Sequence, residues 1–470
     1  MLMNDVFAVP VFDQWLVHAP LHRATAVCGE SLVIGLATDM LPEVSGDAAR
    51  FVEALQGPPA PPPAGKTGRF EPDFLGIIPT RSCNLACRYC AFGACEDDGD
   101  AMDLSMARGV VEWMADRVAE RGDDVLAIDF FGGEPMIAPE VVETAIDTCR
   151  RLAVERGWRS RTEMATNGYY DGKRRDFVSR NIDNLMLSFD GPAEVHDMHR
   201  PLKNGHGSYE TVAASAAAFS AGPADLSIRV CSTAGSVGRI EQDTEWLCRE
   251  FKPSYINFEP LRPTPESARA GLAPPDPWQF ARAAHHASRL AARHGVRIMH
   301  AAAMVDALRS AFCPIGRDVP ILSPDGKVAA CYMLEKDIRE AGLNLHLGEA
   351  GADGRPVIGP DDMSRVRQVA ELPEECRTCF CCRHCAGGCR VAMQGSRRRE
   401  GADDFCMHTR ILSACRLLDR LGCAELADRL AEDREAQEKL ALRTSDLIEE
   451  WELGRGSGVR VSGVGSRVGQ

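Results

Sequence analysis

The feature that most constrains the fold of this chain is a regular alternation of short apolar runs and longer amphipathic runs between residues 74 and 300. Short apolar runs favour buried strands, and runs with helical spacing favour amphipathic helices. Six such pairs in series predict parallel strands joined by right-handed crossovers, in a doubly wound sheet or a full or partial α/β barrel. The predicted strands are 74–80, 125–133, 161–168, 184–191, 225–233 and 255–261, and the predicted helices are 105–121, 139–156, 173–180, 209–221, 241–251 and 277–294.

The segments outside this alternation predict four further regions. Residues 56–66 are rich in proline, which predicts a semi-rigid linker. The linker follows a small unit with predicted extended runs at 6–17 and 31–38. After residue 299 the alternation stops and a cysteine-rich region begins, in which metal clusters can replace a large apolar core. We therefore predict an N-terminal extension with linker at 1–66, a barrel at 67–300, a cysteine-rich domain at 301–410, C-terminal helices at 411–453 and a disordered Gly- and Ser-rich tail at 454–470.

Charge and hydropathy exclude several classes of protein. With 54 Lys and Arg against 68 Asp and Glu, the formal net charge is −14, which disfavours nucleic acid as a ligand. The sequence shows neither a secretion signal nor an apolar run long enough to span a membrane, so we expect no membrane partner and a cytoplasmic location. In a reducing compartment disulfides are rare, so the 19 cysteines indicate metal binding or catalysis.

The first cysteine group follows the first predicted strand directly, in the sequence RSCNLACRYC. Cys83, Cys87 and Cys90 have CxxxCxxC spacing, and three thiolates on one compact loop can hold three irons of a four-iron cluster, leaving the fourth iron open to a ligand. Zinc is the alternative, with Cys95 as a fourth ligand of a closed structural site.

This loop, at the end of the first strand of a β/α series, resembles the radical S-adenosylmethionine superfamily over roughly residues 74–300. The resemblance implies a partial (β/α)6 TIM-like barrel. It also implies that the open iron chelates the amino and carboxylate groups of S-adenosylmethionine. One electron, from an external flavodoxin or ferredoxin-like donor, then cleaves the sulfonium to methionine and a 5'-deoxyadenosyl radical that abstracts hydrogen from a substrate.

Polar motifs at the ends of the next strands fall where parallel α/β folds bind ligands. Glycines let the backbone approach a ligand closely, a carboxylate suits an ammonium group, and a guanidinium suits a carboxylate. Alternatively, Asp190 only turns the chain, and His196 with Asp197 caps the next helix. By the resemblance, the cofactor contacts are Tyr89, between the second and third thiolates, Gly132, Gly133 and Glu134 in FFGGEP, Thr166 and Asn167 in ATNG, Ser188 and Asp190 in SFDG, and Arg200.

The second cysteine group resembles the SPASM extension of radical S-adenosylmethionine enzymes, which carries two auxiliary four-iron clusters. Its core reads CRTCFCCRHCAGGC, followed by sixteen residues and a last cysteine. The resemblance implies an outer cluster on Cys376, Cys379, Cys385 and Cys406, and an inner cluster on Cys313, Cys331 and Cys389. Zinc is again the alternative for the CxxC elements.

Two positions depart from the sulfatase-maturing members of that family. Residues 314–321 contain no cysteine, so either the inner cluster keeps an open iron for substrate or another thiol, such as Cys381 or Cys382, completes it. The residue after Cys331 is Tyr332, where sulfatase maturases carry an aspartate that serves as base, and a phenol with an ordinary pKa near 10 is a poor base. Tyr332 is thus a wall of the substrate site or a packing residue, the formylglycine reaction is disfavoured, and the sequence indicates no convincing general base.

Together these features predict an α/β enzyme with three [4Fe–4S] clusters on ten thiolates. Enzymes of this arrangement mostly modify peptides or small proteins, so we expect an intrachain thioether or carbon–carbon crosslink, as made by maturases of ribosomal peptides or of a quinohemoprotein amine dehydrogenase subunit. The alternatives are a side-chain oxidase of the sulfatase-maturase type and a non-catalytic electron carrier. Residues 1–66 are short for a winged-helix-like leader-recognition domain and lack its helix signals, which leaves leader binding open.

Overall fold

The structure is a computed structural model that describes residues 5–38, 40–93, 99, 101–333, 335–393, 398–399 and 402–442. Cys95 and the tail predicted at 454–470 lie outside the described residues. None of the cysteines in the described part of the chain forms a disulfide.

The N-terminal unit is a three-stranded antiparallel sheet followed by two helices. The extended run expected at 31–38 is wrong, because Leu32, Val33 and Leu36 have helical spacing and bury one face of a helix in a small core with Phe51, while Ile34 on the other face is exposed. Residues 1–66 therefore contain two helices, although we expected this region to lack helix signals. The elements are β1 (Phe7–Val11), β2 (Gln14–Ala19), β3 (Ala24–Cys28), α1 (Glu30–Thr38) and α2 (Gly46–Gln56), and residues 57–66 contain neither helix nor strand.

The β/α alternation folds as predicted, and each of the six expected strands and helices is present close to its expected bounds. A short seventh parallel strand follows them. The elements are β4 (Leu75–Ile77), α3 (Leu104–Arg121), β5 (Val125–Phe130), α4 (Pro139–Arg156), β6 (Arg159–Thr166), α5 (Gly172–Asn181), β7 (Asn184–Ser188), α6 (Ala193–His199), α7 (Tyr209–Ala221), β8 (Asp225–Ser232), α8 (Ile240–Phe251), β9 (Tyr255–Pro260), α9 (Pro265–Arg269), α10 (Pro277–Arg293) and β10 (Arg297–Met299).

Successive side chains of each parallel strand point alternately toward the helices and toward the barrel interior. On β5, Ile128 and Phe130 are fully buried in the core shared with α3 and α4, whereas Asp129 and Phe131 lie on the opposite, partly accessible face. The strands pair in parallel register from β10 through β4. This register places the carboxyl ends of the strands at one edge, where the polar motifs lie.

The cysteine-rich region extends the same sheet, which the sequence did not indicate. β11 pairs in parallel with β4, and three antiparallel strands follow, so that one 11-stranded sheet joins the two regions. The elements are β11 (Ile321–Leu322), β12 (Lys327–Ala329), α11 (Glu335–Glu340), β13 (His346–Ala350), β14 (Pro356–Ile358), α12 (Pro360–Ala370), α13 (Cys382–Cys385), α14 (Arg390–Met393), β15 (Arg398–Arg399), β16 (Ala402–Asp403), α15 (Asp404–Arg420), α16 (Ala424–Glu432) and α17 (Arg434–Leu442).

No helix among the described residues combines the length and the apolar character that crossing a bilayer requires. The longest barrel helices, α3 and α4, each have 18 residues, and both carry charged residues along one face.

Candidate active site at the carboxyl end of the barrel

The loop that carries the first three cysteines is fixed to the far side of the barrel mouth. The backbone N–H of Ala86 donates to the carbonyl of Pro201 at 2.8 Å, and that of Arg88 donates to the carbonyl of His199 at 2.9 Å. Cys83, Cys87 and Cys90 on this loop are each half-buried. Burial, followed by the nearby Glu134 carboxylate and Cys90 thiol, raises the pKa of Cys83 to about 12, and Cys90 and Cys83 also raise the pKa of Cys87, so these three thiols share one small site. Three converging thiols fit a metal cluster, which would bind them as thiolates.

The two glycines of the FFGGEP motif hold this loop in place. The backbone of Gly132 has φ of 143°, in the region that favours glycine, and a Cβ there would lie 2.7 Å from the carbonyl oxygen of Thr80. A Cβ on Gly133 would lie 2.0 Å from the carbonyl oxygen of Ser82. The N–H of Glu134 donates to that same oxygen at 2.9 Å. The close backbone approach is therefore made to the cysteine loop.

A Gly133→Ala variant tests this packing. Because the nearest atoms are backbone atoms of Arg81 and Ser82, the added methyl must displace the loop, and we expect loss of the iron bound at Cys83, Cys87 and Cys90. Iron content per chain is the measurement. Gly172→Ala is the matched control, since a Cβ there meets nothing within 4 Å, and it should keep all its iron. Full iron in Gly133→Ala would contradict this account of the loop.

Glu134 joins the ends of β5 and β6 to the cysteine loop. Its carboxylate accepts hydrogen bonds from the Thr166 hydroxyl at 2.9 Å, the Asn167 backbone N–H at 2.7 Å and the Met136 N–H at 3.2 Å. The Asn167 side-chain amide donates to the Asn84 side chain at 2.9 Å, with the Cys83 sulfur 3.5 Å away. Burial raises the pKa of Glu134 to about 7. A carboxylate has about four acceptor positions, so three donors leave room for one more from a ligand.

Asp190 and Arg200 form a buried ion pair beside the cysteine loop. The Arg200 Nε lies 3.0 Å from Asp190, whose side chain is fully buried, and the Tyr89 hydroxyl donates to the same carboxylate. The Arg200 guanidinium lies over the Tyr89 ring, 5.3 Å from its centre, and its Nη1 is 3.9 Å from the Cys87 sulfur. Although burial opposes it, the Arg200 charge holds the pKa of Asp190 well below its usual range. Asp190 therefore does more than turn the chain, because it orients Arg200.

His196 and Asp197 have structural roles, as the helix-capping alternative predicted for Asp197. The Asp197 carboxylate accepts from the backbone N–H groups of Ser208 and Tyr209, both at 2.8 Å, at the start of α7. The His196 ring accepts a hydrogen bond from the backbone N–H of Asp190 at 3.3 Å, and its other nitrogen hydrogen-bonds the Ser208 hydroxyl at 3.1 Å. Both residues therefore support the segment that ends in Arg200.

Ser188 ends β7 on the same strand face as Asn184 and Met186, while Leu185 and Leu187 are buried in the core. It is half-buried and pairs in register with Arg229 on β8, whose guanidinium contacts Glu259. The serine thus faces the barrel interior, as a ligand-binding residue must.

The second cysteine group separates into two sets in space, along the division that the resemblance implies. Burial and then the nearby thiols of Cys389 and Cys331 raise the pKa of Cys313 to about 12. Burial and the nearby Cys379 raise the pKa of Cys376 to about 11. The outer set also contains Cys385 and Cys406, each close to Cys379, and the buried Arg410 guanidinium lies beside it.

Neither of the two additional thiols lies with the inner set. The buried thiol of Cys381 hydrogen-bonds Cys379 and thereby lowers the pKa of Cys379, a member of the outer set. The Cys382 sulfur lies 4.0 Å from the Asp5 carboxylate of the N-terminal unit. Among the described cysteines, the inner set is thus Cys313, Cys331 and Cys389 alone.

Asp129 is a site residue that sequence reasoning missed, although a carboxylate inside the apolar run VLAIDFFGG was a usable signal. It accepts a hydrogen bond from Tyr332 at 2.5 Å across 203 residues of chain. Tyr332 also packs against Phe131, with ring centres 4.8 Å apart. The tyrosine is therefore more than inert packing, because it bridges the cysteine-rich region to β5.

Comparison with known proteins agrees with this geometry. Residues 77–236 match the Radical SAM superfamily. A cysteine-type anaerobic sulfatase-maturating enzyme of Clostridium perfringens (strain 13 / Type A) is 23% identical over 342 residues, which covers 68% of this chain and 89% of that enzyme. The solved structure of native anSMEcpe with bound AdoMet covers 74% of this chain and 99% of its own, with a TM-score of 0.57 and 19% identity.

A second solved structure, Streptococcus suis SuiB bound to S-adenosylmethionine, covers 82% of this chain and 95% of its own, with a TM-score of 0.51 and 12% identity. At these identities the structural likeness shows the fold. The superfamily match spans β4 to the segment after β8, and so includes the cysteine loop, the glycine pair and the Asp190–Arg200 pair. Residues 77–236 therefore form a Radical SAM domain, and the chain is similar to radical S-adenosylmethionine enzymes that include a sulfatase-maturating enzyme.

Proposed function

We propose that this enzyme is a maturase that abstracts hydrogen from a peptide or small protein and forms an intrachain thioether or carbon–carbon crosslink. The observation that carries the proposal is the arrangement of ten thiols in three separate sets, one at the barrel mouth and two in the cysteine-rich region. A single set suffices to cleave the cofactor. Two further sets fit a reaction that must also remove an electron from the substrate.

In the barrel, Cys83, Cys87 and Cys90 would hold the cluster that binds S-adenosylmethionine. When bound, this cluster and cofactor supply a one-electron cleavage that generates a hydrogen-abstracting radical. Glu134, with its remaining acceptor position, suits the cofactor's ammonium group, and Arg200, oriented by Asp190, suits its carboxylate. The remaining proposed contacts are Tyr89, Gly132, Gly133, Thr166, Asn167 and Ser188.

In the cysteine-rich region, Cys376, Cys379, Cys385 and Cys406 would hold the outer cluster, giving it a complete set of thiolates. Cys313, Cys331 and Cys389 would hold the inner one. Since Cys381 and Cys382 lie elsewhere, the inner cluster would keep an open iron. An open iron there would suit a substrate thiol, which is the reacting group of a thioether crosslink.

The substrate class is supported by the relatives. One solved structure of anSMEcpe contains a Cp18Cys peptide, and one of SuiB contains its precursor peptide SuiA. An external one-electron donor of the flavodoxin or ferredoxin type would supply the electron. The second candidate function is side-chain oxidation of the sulfatase-maturase type, which the 23% identity to the clostridial enzyme favours and Tyr332 disfavours.

Two measurements test the proposal. The anaerobic, chemically reduced protein should release 5'-deoxyadenosine from S-adenosylmethionine, and no release would contradict radical chemistry and favour an electron carrier. Co-expression with candidate small proteins, followed by mass spectrometry, should then yield a product that has lost two hydrogens without fragmentation. Replacement of a cysteine sulfur by oxygen would instead establish the sulfatase-maturase reaction.

A further inference from the structure

Asp129 lies on the interior face of β5, three residues before Gly132. Its register partners are Gly76 on β4 and Glu163 on β6, so it lies between the strand that leads to the cysteine loop and the strand that ends in Thr166. Its side chain faces away from the helix-side core that contains Ile128 and Phe130. On this interior face Asp129 is half-buried, and the glycine pair that packs against the cysteine loop follows it in the chain.

Tyr332 reaches Asp129 through a space that Gly76 leaves open. A Cβ on Gly76 would lie 2.7 Å from the Tyr332 hydroxyl, so a larger residue there would block the contact. The hydroxyl donates to the Asp129 carboxylate at 2.5 Å, and the ring packs on Phe131. Because Tyr332 follows Cys331 directly, its hydrogen bond to Asp129 links the inner thiol set to β5.

The other interior carboxylates among the described residues have cationic partners or several donors. Glu163 pairs with Arg161 at 2.9 Å, Glu259 pairs with Arg229, and Asp190 pairs with Arg200. Glu134 accepts three hydrogen bonds. The hydrogen-bond partner of Asp129, in contrast, is a neutral hydroxyl.

Burial raises the pKa of Asp129 to about 7. The groups that face it are the Tyr332 hydroxyl, which lowers the pKa by its hydrogen bond, Glu163, which raises it, and Arg161, which lowers it. A carboxylate with a pKa near the working pH can both accept and release a proton.

We propose that Asp129 is the general base of the peptide modification and that Tyr332 is its positioning residue, an inference that rests on the function proposed above. Forming a thioether breaks one S–H and one C–H bond and makes one C–S bond. One hydrogen leaves as an atom and ends in 5'-deoxyadenosine. The other would leave as a proton to Asp129, and its electron would be accepted by an iron–sulfur cluster held by the cysteine-rich region, so that atoms and electrons balance.

The first test needs no peptide. Besides the band of Glu134, infrared difference titration of the anaerobic holoenzyme should show a carboxylic acid band from Asp129 that titrates near pH 7 and is absent from Asp129→Asn. In Tyr332→Phe this band should titrate at higher pH, because the hydrogen bond that lowers the pKa is lost. Asp124 lies just before β5 and its side chain is 70% exposed, so Asp124→Asn is the control and should keep the band. A titration unchanged in Asp129→Asn would overturn the assignment.

The second test uses the co-expressed peptide that loses two hydrogens. Asp129→Asn should lower the ratio of modified peptide to 5'-deoxyadenosine by about 100-fold or more, the size expected for a general base. Asp129→Glu should restore part of it, and Tyr332→Phe should shift the pH profile of modification upward, which a merely structural residue would not do. An unchanged ratio in Asp129→Asn overturns this inference alone, whereas no 5'-deoxyadenosine from the wild type overturns the proposed function as well.

Discussion

Replacing Cys83, Cys87 and Cys90 together by alanine should abolish cleavage of S-adenosylmethionine and leave about two thirds of the iron, since two of three four-iron clusters would remain. The expectation follows from the separation of the thiols. The thiols that influence Cys83 and Cys87 are those of the same loop, and those that influence Cys313 and Cys376 belong to the cysteine-rich region. Iron and sulfide content, with 5'-deoxyadenosine release, are the measurements.

The matched control is a triple alanine variant of Cys149, Cys248 and Cys415, three buried thiols that belong to none of the three sets. It should keep all its iron and its cleavage activity. Loss of all iron from the loop variant would contradict separate sites, and retention of all iron would contradict the role of the loop.

Replacing Arg200 by leucine should destabilise the protein by about 3–5 kcal/mol, the usual cost of removing one partner from a buried ion pair. Arg200 is 7% exposed and Asp190 is 1% exposed, so the variant leaves a carboxylate in the interior without its closest cation. Binding of S-adenosylmethionine should weaken as well, because the guanidinium is the proposed partner of the cofactor's carboxylate. Anaerobic chemical denaturation and equilibrium binding measure the two effects.

Arg180→Leu is the control for that prediction. Arg180 pairs with Asp176 on the surface of α5, with its side chain 71% exposed, and such pairs contribute at most about 1 kcal/mol. If Arg200→Leu were no less stable than Arg180→Leu, the Asp190–Arg200 pair would not be the buried pair described above.

The barrel was predictable from the sequence because each of its elements is encoded by a contiguous pattern. Alternating apolar and amphipathic runs predicted the strands that became β4–β9 and the helices between them, to within three residues at each end. The same reasoning failed at 31–38, a short run of mixed apolar residues that fits either a strand or a helix. There, packing against Phe51 and the N-terminal sheet decides for a helix.

The amino-acid sequence by itself determined the chemistry: the spacing of Cys83, Cys87 and Cys90 and the order of the later cysteines predicted clustered thiols, because ligands of one metal centre can be close along the chain. Only the tertiary structure decided which distant groups meet. It packed Gly133 against Ser82, placed the additional thiol of Cys381 beside Cys379 of the outer set and brought Tyr332 to Asp129. These contacts depend on how the sheet curves and on which strand lies beside β4. Such long-range pairings produce no periodic pattern in the sequence.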